Sequence, residues 1–190
     1  ISEFKRTVPH WCRIMRVQRD IPTANIEAGV NRTNLRQYVK KYMDKHGIVC
    51  NCIRCREIGR SDRPRGKVSI YVEHYSASGG NEFFISAETK DSIIGFARLR
   101  FPGAQLRKEI TPRTAIIREL HVYGAAVSIG KKGKIKGQHR GIGRTLMEKA
   151  EDIAKTYYKD RMLVISGIGV REYYRKLGYR RIGPYMGKRL

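Results

Sequence analysis

Gln138-His139-Arg140-Gly141-Ile142-Gly143-Arg144 is the stretch on which the reading of this chain turns. Glycines at 141 and 143 leave backbone N–H groups uncovered where the following residues predict the start of a helix. Such a helix end carries partial positive charge and unpaired donors, and it suits a phosphate. Two rival phosphate motifs fail. A dinucleotide-binding turn needs a third glycine where Leu146 stands, and a P-loop needs Gly-Lys-Ser/Thr, which is absent.

Downstream of the turn, Leu146, Ala150, Ile153, Ala154 and Tyr157 mark the apolar stripe of a helix that opens at Gly141. A strand over 163–166, a short helix over 170–176 and a last strand over 179–182 follow. Upstream, 115–123 reads as a strand, joined to the turn by a Gly/Lys loop over 124–137. Before it, 68–75, 82–87 and 93–101 are strand-like, separated by Ser78-Gly79-Gly80-Asn81 and Thr89-Lys90-Asp91. A turn-rich basic linker over 59–66 precedes this meander. Nearer the N-terminus, Leu35, Tyr38, Val39, Tyr42 and Met43 recur at three and four, which predicts a helix over 34–46 stopped by Gly47. A short strand is expected over 13–19, ending at Asp20-Ile21-Pro22. Antiparallel strands followed by strand, helix, strand, helix, strand predict an α+β domain with helices flanking a mixed, mostly antiparallel sheet. The expected organisation is an N-terminal extension over 1–58 and one domain over 67–190.

At 190 residues and 41% hydrophobic, the chain can bury one core and a small appendage. Lys and Arg number 40 against 17 Asp and Glu, a formal net charge of +23 that exceeds what solubility requires and implies an anionic partner. Nucleic acid leads, because neutralising phosphates releases counterions, although an acidic protein or a membrane surface attracts the same charge. Arg13, Arg16, Arg19, Arg36, Lys40, Lys41 and Lys45 are the candidate RNA-gripping side chains. The loop Lys131-Lys132-Gly133-Lys134-Ile135-Lys136 either contacts RNA, meets a cofactor phosphate or does neither. The sequence has no run of ~20 apolar residues and no signal-peptide stretch, so a soluble cytoplasmic protein without a membrane partner is expected.

Cys50, Cys52 and Cys55 are crowded together and fit a metal in a reducing compartment better than a disulfide framework. Zinc is the expected ion, since thiolates close in sequence can wrap one tetrahedral centre. Cys12, the only cysteine left, is the expected fourth ligand, and His46 is its rival. An iron–sulfur cluster and three buried free thiols are the other readings. Zinc would staple an extension with too few apolar residues for an independent core.

Gln-x-x-Gly-x-Gly at the head of an amphipathic helix resembles the acetyl-CoA signature of the GNAT superfamily, and Arg171-Glu172-Tyr173-Tyr174-Arg175-Lys176-Leu177-Gly178-Tyr179 resembles that superfamily's short-helix motif. The resemblance implies a GNAT acyltransferase fold whose sheet splays between the strand ending near Tyr123 and the strand ending near Ser166. The pantetheine arm would lie in the gap and pair with backbone groups of Leu120, His121 and Val122 like an added strand. The diphosphate would sit on Gln138, His139, Arg140, Gly141, Ile142, Gly143 and Arg144. Tyr174 matches the family's general acid, also touching the cofactor, with Tyr173 a second candidate; without the motif, such a tyrosine reads as a core residue with a wet hydroxyl. Glu119 and His121, two apart on one strand, share a face; either acts as a base or positions a water, or the two form a structural pair.

Ile117-Arg118-Glu119-Leu120-His121-Val122-Tyr123-Gly124, Val164-Ile165-Ser166-Gly167-Ile168-Gly169 and the two motifs above together resemble the acetyltransferase domain of the catalytic subunit of Elongator. Arg16-Val17-Gln18-Arg19-Asp20-Ile21-Pro22 is similar to the same subunit just upstream. The resemblance implies an enzyme that uses acetyl-CoA to build the carboxymethyl group on the wobble uridine of tRNA, with tRNA and other Elongator-like subunits or self-association as partners. The family's radical S-adenosylmethionine domain, which carries the iron–sulfur cluster, has no counterpart here: Cys50-x-Cys52-x-x-Cys55 has the wrong first gap for that cluster. Residues 1–58 would then be the end of the radical region and a zinc-bearing linker. A protein or histone lysine acetyltransferase with Glu119 as base, and a non-catalytic tRNA-binding module, remain the alternatives.

Overall fold

The computed structural model of the chain describes residues 1–19, 21–58, 66–123 and 141–190. Most of the basic linker, the Gly/Lys loop and the residues Gln138, His139 and Arg140 lie outside them. Strand-like alternation after residue 66 becomes a meander of β1 (Ser69–Ala77), β2 (Gly80–Glu88), β3 (Ile93–Phe101) and β4 (Thr114–Val122), each antiparallel to the next. Ser78 (φ 46°) and Gly79 (φ 66°) form the two-residue connection between β1 and β2, the left-handed geometry that matches strand twist in a tight hairpin.

Helix α4 (Ile142–Thr156) then carries the chain across to β5 (Arg161–Val164), which runs parallel to β4. A 3-10 turn at Ile168–Val170 leads into α5 (Arg171–Arg175), where a single short helix is expected from the sequence. The sheet ends with β6 (Arg180–Ile182) and β7 (Tyr185–Arg189), in the order β1-β2-β3-β4-β5-β7-β6. β7 has no sequence signal, being short, charged and interrupted by a glycine, yet it sits between β5 and β6. Gly187 permits this: a Cβ there would lie 2.5 Å from Ile182 and 2.9 Å from Leu163.

One face of the sheet is closed by α4, whose Leu146, Met147, Ala150 and Ala154 pack on Ile85, Ala97, Leu99, Ile117, Met162 and Val164. Burying each of the larger side chains contributes about 1.5–3 kcal/mol. The other face is backed by the N-terminal extension, made of α1 (Ser2–Arg6), α2 (Leu35–Lys45) and α3 (Ile53–Arg56). Ile53 joins Phe84, Ile93 and Phe96, Trp11 stacks on Tyr75 at 4.1 Å, and Arg56 pairs with Glu88 at 2.7 Å.

The periodicity of 34–46 is realised in α2, which buries Val39 and Met43 and ends before Gly47 (φ 64°). The strand expected over 13–19 does not form. The carbonyls of Ile14 and Met15 accept bonds from the Arg36 guanidinium, at 3.3 and 3.2 Å, in place of a neighbouring strand. Among the described residues no helix is long and apolar enough to cross a membrane.

Candidate active site and cysteine centre

β4 and β5 pair only over Thr114–Ile117, and the last bond between the two segments runs from Ile165 N–H to the Ile117 carbonyl at 3.0 Å. Beyond it β4 keeps β3 but has lost β5 as far as Val122, so its edge facing the gap carries backbone donors and acceptors that β5 no longer meets. A bulge marks the divergence: Leu99 faces Ile117 but Arg98 faces Glu119, which leaves Arg118 as the extra residue. Without the bulge Glu119 would share a face with Ile117; with it, Leu120 and Val122 do. The Arg118 guanidinium reaches Glu82, which is 1% exposed and also accepts from Arg100, at 2.9 and 2.8 Å. The bulge is therefore tied to β2 and β3 by a buried carboxylate between two cations.

Leu120 and Val122 form one wall of a cleft of about 450 Å³, completed by Gly141, Gly143 and Arg144 of the α4 start and by Val170, Tyr173, Tyr174, Lys176 and Leu177. That volume suits a cofactor-sized ligand. Gly141 takes φ 98°, which a glycine adopts freely, and among the described residues no side chain caps the helix end. The first-turn N–H groups are thus left for a ligand. Gly143 lets the Tyr173 ring close on the helix start: a Cβ there would lie 2.6 Å from the Tyr173 hydroxyl. Ile142, expected in the cradle, turns its side chain to the core instead.

Tyr174 is 5% exposed and sits against Tyr173 and Tyr179. Burial, and then the neighbouring Tyr173, pushes its hydroxyl up to about 12. Tyr173 is more open, and burial raises it too, opposed by Arg144. Both remain protonated at neutral pH and can donate a proton. Behind them Tyr179 donates to Glu151 at 2.7 Å, and Lys188 closes that carboxylate at 2.8 Å, which pins α4 to β7.

Glu119 and His121 share a face, as their spacing requires, and it is the face turned away from α4. His121 therefore contributes no side chain to the cleft wall. Glu119 accepts from Arg98 at 3.0 Å, and His121 packs on Tyr123 and Phe96, so the two do not pair with each other. Arg98 itself is clamped by the Tyr75 hydroxyl and the Trp11 carbonyl.

In the extension, the sulfurs of Cys50, Cys52 and Cys55 lie within 4.8 Å of one another. A zinc ion with Zn–S bonds of about 2.3 Å holds its sulfurs roughly 3.8 Å apart, so the three fit one such ion. A hydrogen bond from Cys55 lowers the fully buried Cys52 thiol, while that same bond pushes Cys55 up. Cys12, expected as fourth ligand, stands outside the group and packs against its apolar side. His46 also lies outside the trio, and its Nδ1 meets the Tyr42 carbonyl at 2.8 Å. The side nearest Cys50 and Cys55 is taken by Lys5, whose Nζ lies 3.4 and 3.7 Å from their sulfurs.

Of the expected RNA-binding residues, Arg13 is committed to Glu57 and Tyr123, Arg36 to backbone carbonyls, and Lys40 to Asp44. Arg16, Arg19, Lys41 and Lys45 are exposed. Arg36 and Lys40 nonetheless line a cavity of about 610 Å³ with Lys5, Arg54, Cys50 and Cys55. Sequence reasoning missed Lys5 and Arg54 there, and missed the Glu82–Arg118 tie, since each acts across a long sequence separation.

A sheet that opens between two parallel strands beside an uncapped helix start, with tyrosines on the far wall, defines an acyltransferase domain. The chain belongs to the acetyltransferase (GNAT) family, whose model it matches over residues 52–179. It is 50% identical over its whole length to a tRNA uridine(34) acetyltransferase of Methanocaldococcus jannaschii, of which it covers 37%. It is 45% identical to Elongator complex protein 3 of Saccharomyces cerevisiae, covering 36% of that protein. The solved structure of an archaeal Methanocaldococcus infernus Elp3 with an N-terminal deletion superposes with a TM-score of 0.90 at 47% identity, over 100% of this chain and 47% of that one. The chain thus spans under half the length of these relatives.

Proposed function

We propose that this chain is the acetyl-CoA-binding part of an enzyme that modifies the wobble uridine of tRNA. The observation that carries the reading is the edge of β4 that β5 leaves open, facing the start of α4 across a cleft lined by Tyr173 and Tyr174. First-turn amides of α4 hold the diphosphate, and the helix end and Arg144 favour its charge. The pantetheine arm lies along β4 from Glu119 to Val122 as an added strand. This directs the thioester to the gap, with Glu119 and His121 on the acceptor side. When the acyl carbon–sulfur bond breaks, Tyr174 gives its proton to the departing thiolate, and Tyr173 is the alternative donor. The net charge of +23 and the names of the relatives support tRNA as acceptor. Cytoplasm is the compartment that fits free thiols and a tRNA substrate.

Cys50, Cys52 and Cys55 would hold a zinc ion that supplies folding energy to the extension. Activation of the uridine carbon belongs to a radical S-adenosylmethionine domain, to which the Elongator resemblance assigns that step. Calorimetry with acetyl-CoA, with and without tRNA, tests the proposal: saturable binding and tRNA-stimulated thioester cleavage are expected. An inert cleft would overturn it. Acetylation of a lysine peptide in preference to tRNA, read by mass spectrometry, would move the assignment to protein acetylation.

A further inference from the structure

At the far edge of the sheet, Arg161 of β5 stands directly across from Arg189 of β7, and Arg180 of β6 faces Gly187 between them. All three arginines lie on the face opposite α4, because their strand neighbours Leu163 and Ile182 pack into the cluster on that side, whereas Met162, Val164 and Met186 pack under α4. Gly187 places no side chain among them, and Ile182 floors the space. The result is a small pocket of about 170 Å³ lined by Arg161, Arg180, Ile182, Gly187, Lys188 and Arg189.

Like charges placed directly opposite on neighbouring strands repel. Nothing nearby relieves them among the described residues: Asp160 is paired with Arg113, Glu151 with Lys188, and the Glu109 side chain packs against Gly183. The one contact to these guanidiniums is a long bond from Arg161 to the Glu109 carbonyl at 3.5 Å. Three arginines that adjacent strands set on one face, around an open space of phosphate size, supply the forked donors that capture a phosphate.

We propose that Arg161, Arg180 and Arg189 form an anion pocket that grips a backbone phosphate of the RNA acceptor, at the opposite sheet edge from the cysteine-bearing extension. This rests on the tRNA reading, and it adds an anchoring point that neither the basic run of α2 nor the acetyl-CoA cleft provides.

The test compares tRNA binding by the full chain, by Arg180→Gln/Arg189→Gln and by Lys41→Gln/Lys45→Gln across a salt series, with acetyl-CoA affinity and thermal midpoint measured alongside. The arginine pair variant is expected to bind tRNA about tenfold more weakly, with a salt slope reduced by roughly 0.7–0.9 per lost contact, and to keep its acetyl-CoA affinity and midpoint. Unchanged tRNA affinity and slope in that variant, with a loss confined to the α2 variant, would overturn the pocket and leave the tRNA reading intact. Failure of the unaltered chain to bind tRNA would overturn both. Loss in the arginine variant of stabilisation by inorganic phosphate, at constant ionic strength and with tRNA binding untouched, would identify a free-ion site and overturn the backbone assignment.

Discussion

Under α4, Leu146, Met147, Ala150 and Ala154 are shut away from water against β2 to β5, whereas the extension buries only Val8, Val39, Met43, Ile48 and two cysteine side chains as its own core. The sheet half closes by layering apolar area, and its buried carboxylates are fully partnered: Glu82 by two arginines, Glu151 by Tyr179 and Lys188. The extension has exposed ion pairs such as Lys40–Asp44 and a trio of sulfurs in place of that area. The difference teaches that two parts of one chain can fold for different reasons, and that they should fail under different insults.

Metal removal should separate them most widely. Cys52→Ser, or a strong chelator, is expected to release the zinc proposed for the trio and bring the α2 and α3 amides to near-unprotected exchange, because structural zinc is worth roughly 10–16 kcal/mol in small folds. Protection of β2 to β5 and acetyl-CoA affinity should stay within about twofold of the starting values, a margin under 0.5 kcal/mol. Equal loss in both halves, read by hydrogen exchange, would erase the distinction. Cys12→Ser sharpens it: retention of metal is expected from its position outside the trio.

Glu82→Gln attacks the other half. Removing the charge leaves Arg100 and Arg118 facing a neutral amide in a site 1% exposed, and breaking such a buried pair costs about 3 kcal/mol. Denaturant unfolding should register that cost, acetyl-CoA should bind more weakly as the bulge at Arg118 relaxes, and zinc content should not change. Normal acetyl-CoA affinity at the lower stability would limit Glu82 to a purely structural role.

The residues of the cleft were largely legible in the sequence and those that shape it were not. Gly141, Gly143, Arg144 and Tyr174 sit in short motifs whose spacing carries their geometry, and the helical period of 34–46 predicted α2 with little error. The bulge at Arg118 has no local signature, since Glu82 looks like any strand charge until β2 and β4 are brought together through β3. The same holds for Lys5, which a short N-terminal helix delivers to sulfurs far along the chain. β7 was illegible because its place depends on the missing side chain of Gly187. The expected strand over 13–19 failed because an arginine side chain, invisible to periodicity, took its carbonyls.

Tyr174→Phe is the next smaller perturbation. Loss of a positioned acid should slow thioester cleavage about 100-fold, or roughly 2.7 kcal/mol, with acetyl-CoA affinity unchanged. Tyr173→Phe should fall by less. A hydroxyl held at about 12 keeps its proton across the neutral range, so the rate should show no loss of this acid between pH 6 and 9, a span of about 3 units well below it. The same shift links pH to stability. Unfolded tyrosine titrates near 10, so the contribution of Tyr174 is present in full below about pH 10 and is lost as pH rises towards 12. Burial of Tyr179 and its bond to Glu151 act in the same direction. An alkaline midpoint unaffected by Tyr174→Phe would contradict the burial of that hydroxyl.

Lys40→Gln should have the smallest effect and tests the comparison at its weak end. Lys40 and Asp44 meet at 2.8 Å one turn apart on α2, but their side chains are 75% and 61% exposed. Water screens such a pair, and holding two long side chains together costs conformational freedom, so about 0.3–0.5 kcal/mol is expected. Arg56 and Glu88 meet at the same 2.7–2.8 Å range but are 15% and 17% exposed, where the extension docks on β2. Arg56→Gln should therefore exceed Lys40→Gln several-fold in chemical denaturation. Parity between the two would mean that the docking surface is as wet as the helix exterior, and that the Arg56–Glu88 pair adds nothing to the packing of Ile53 and Trp11.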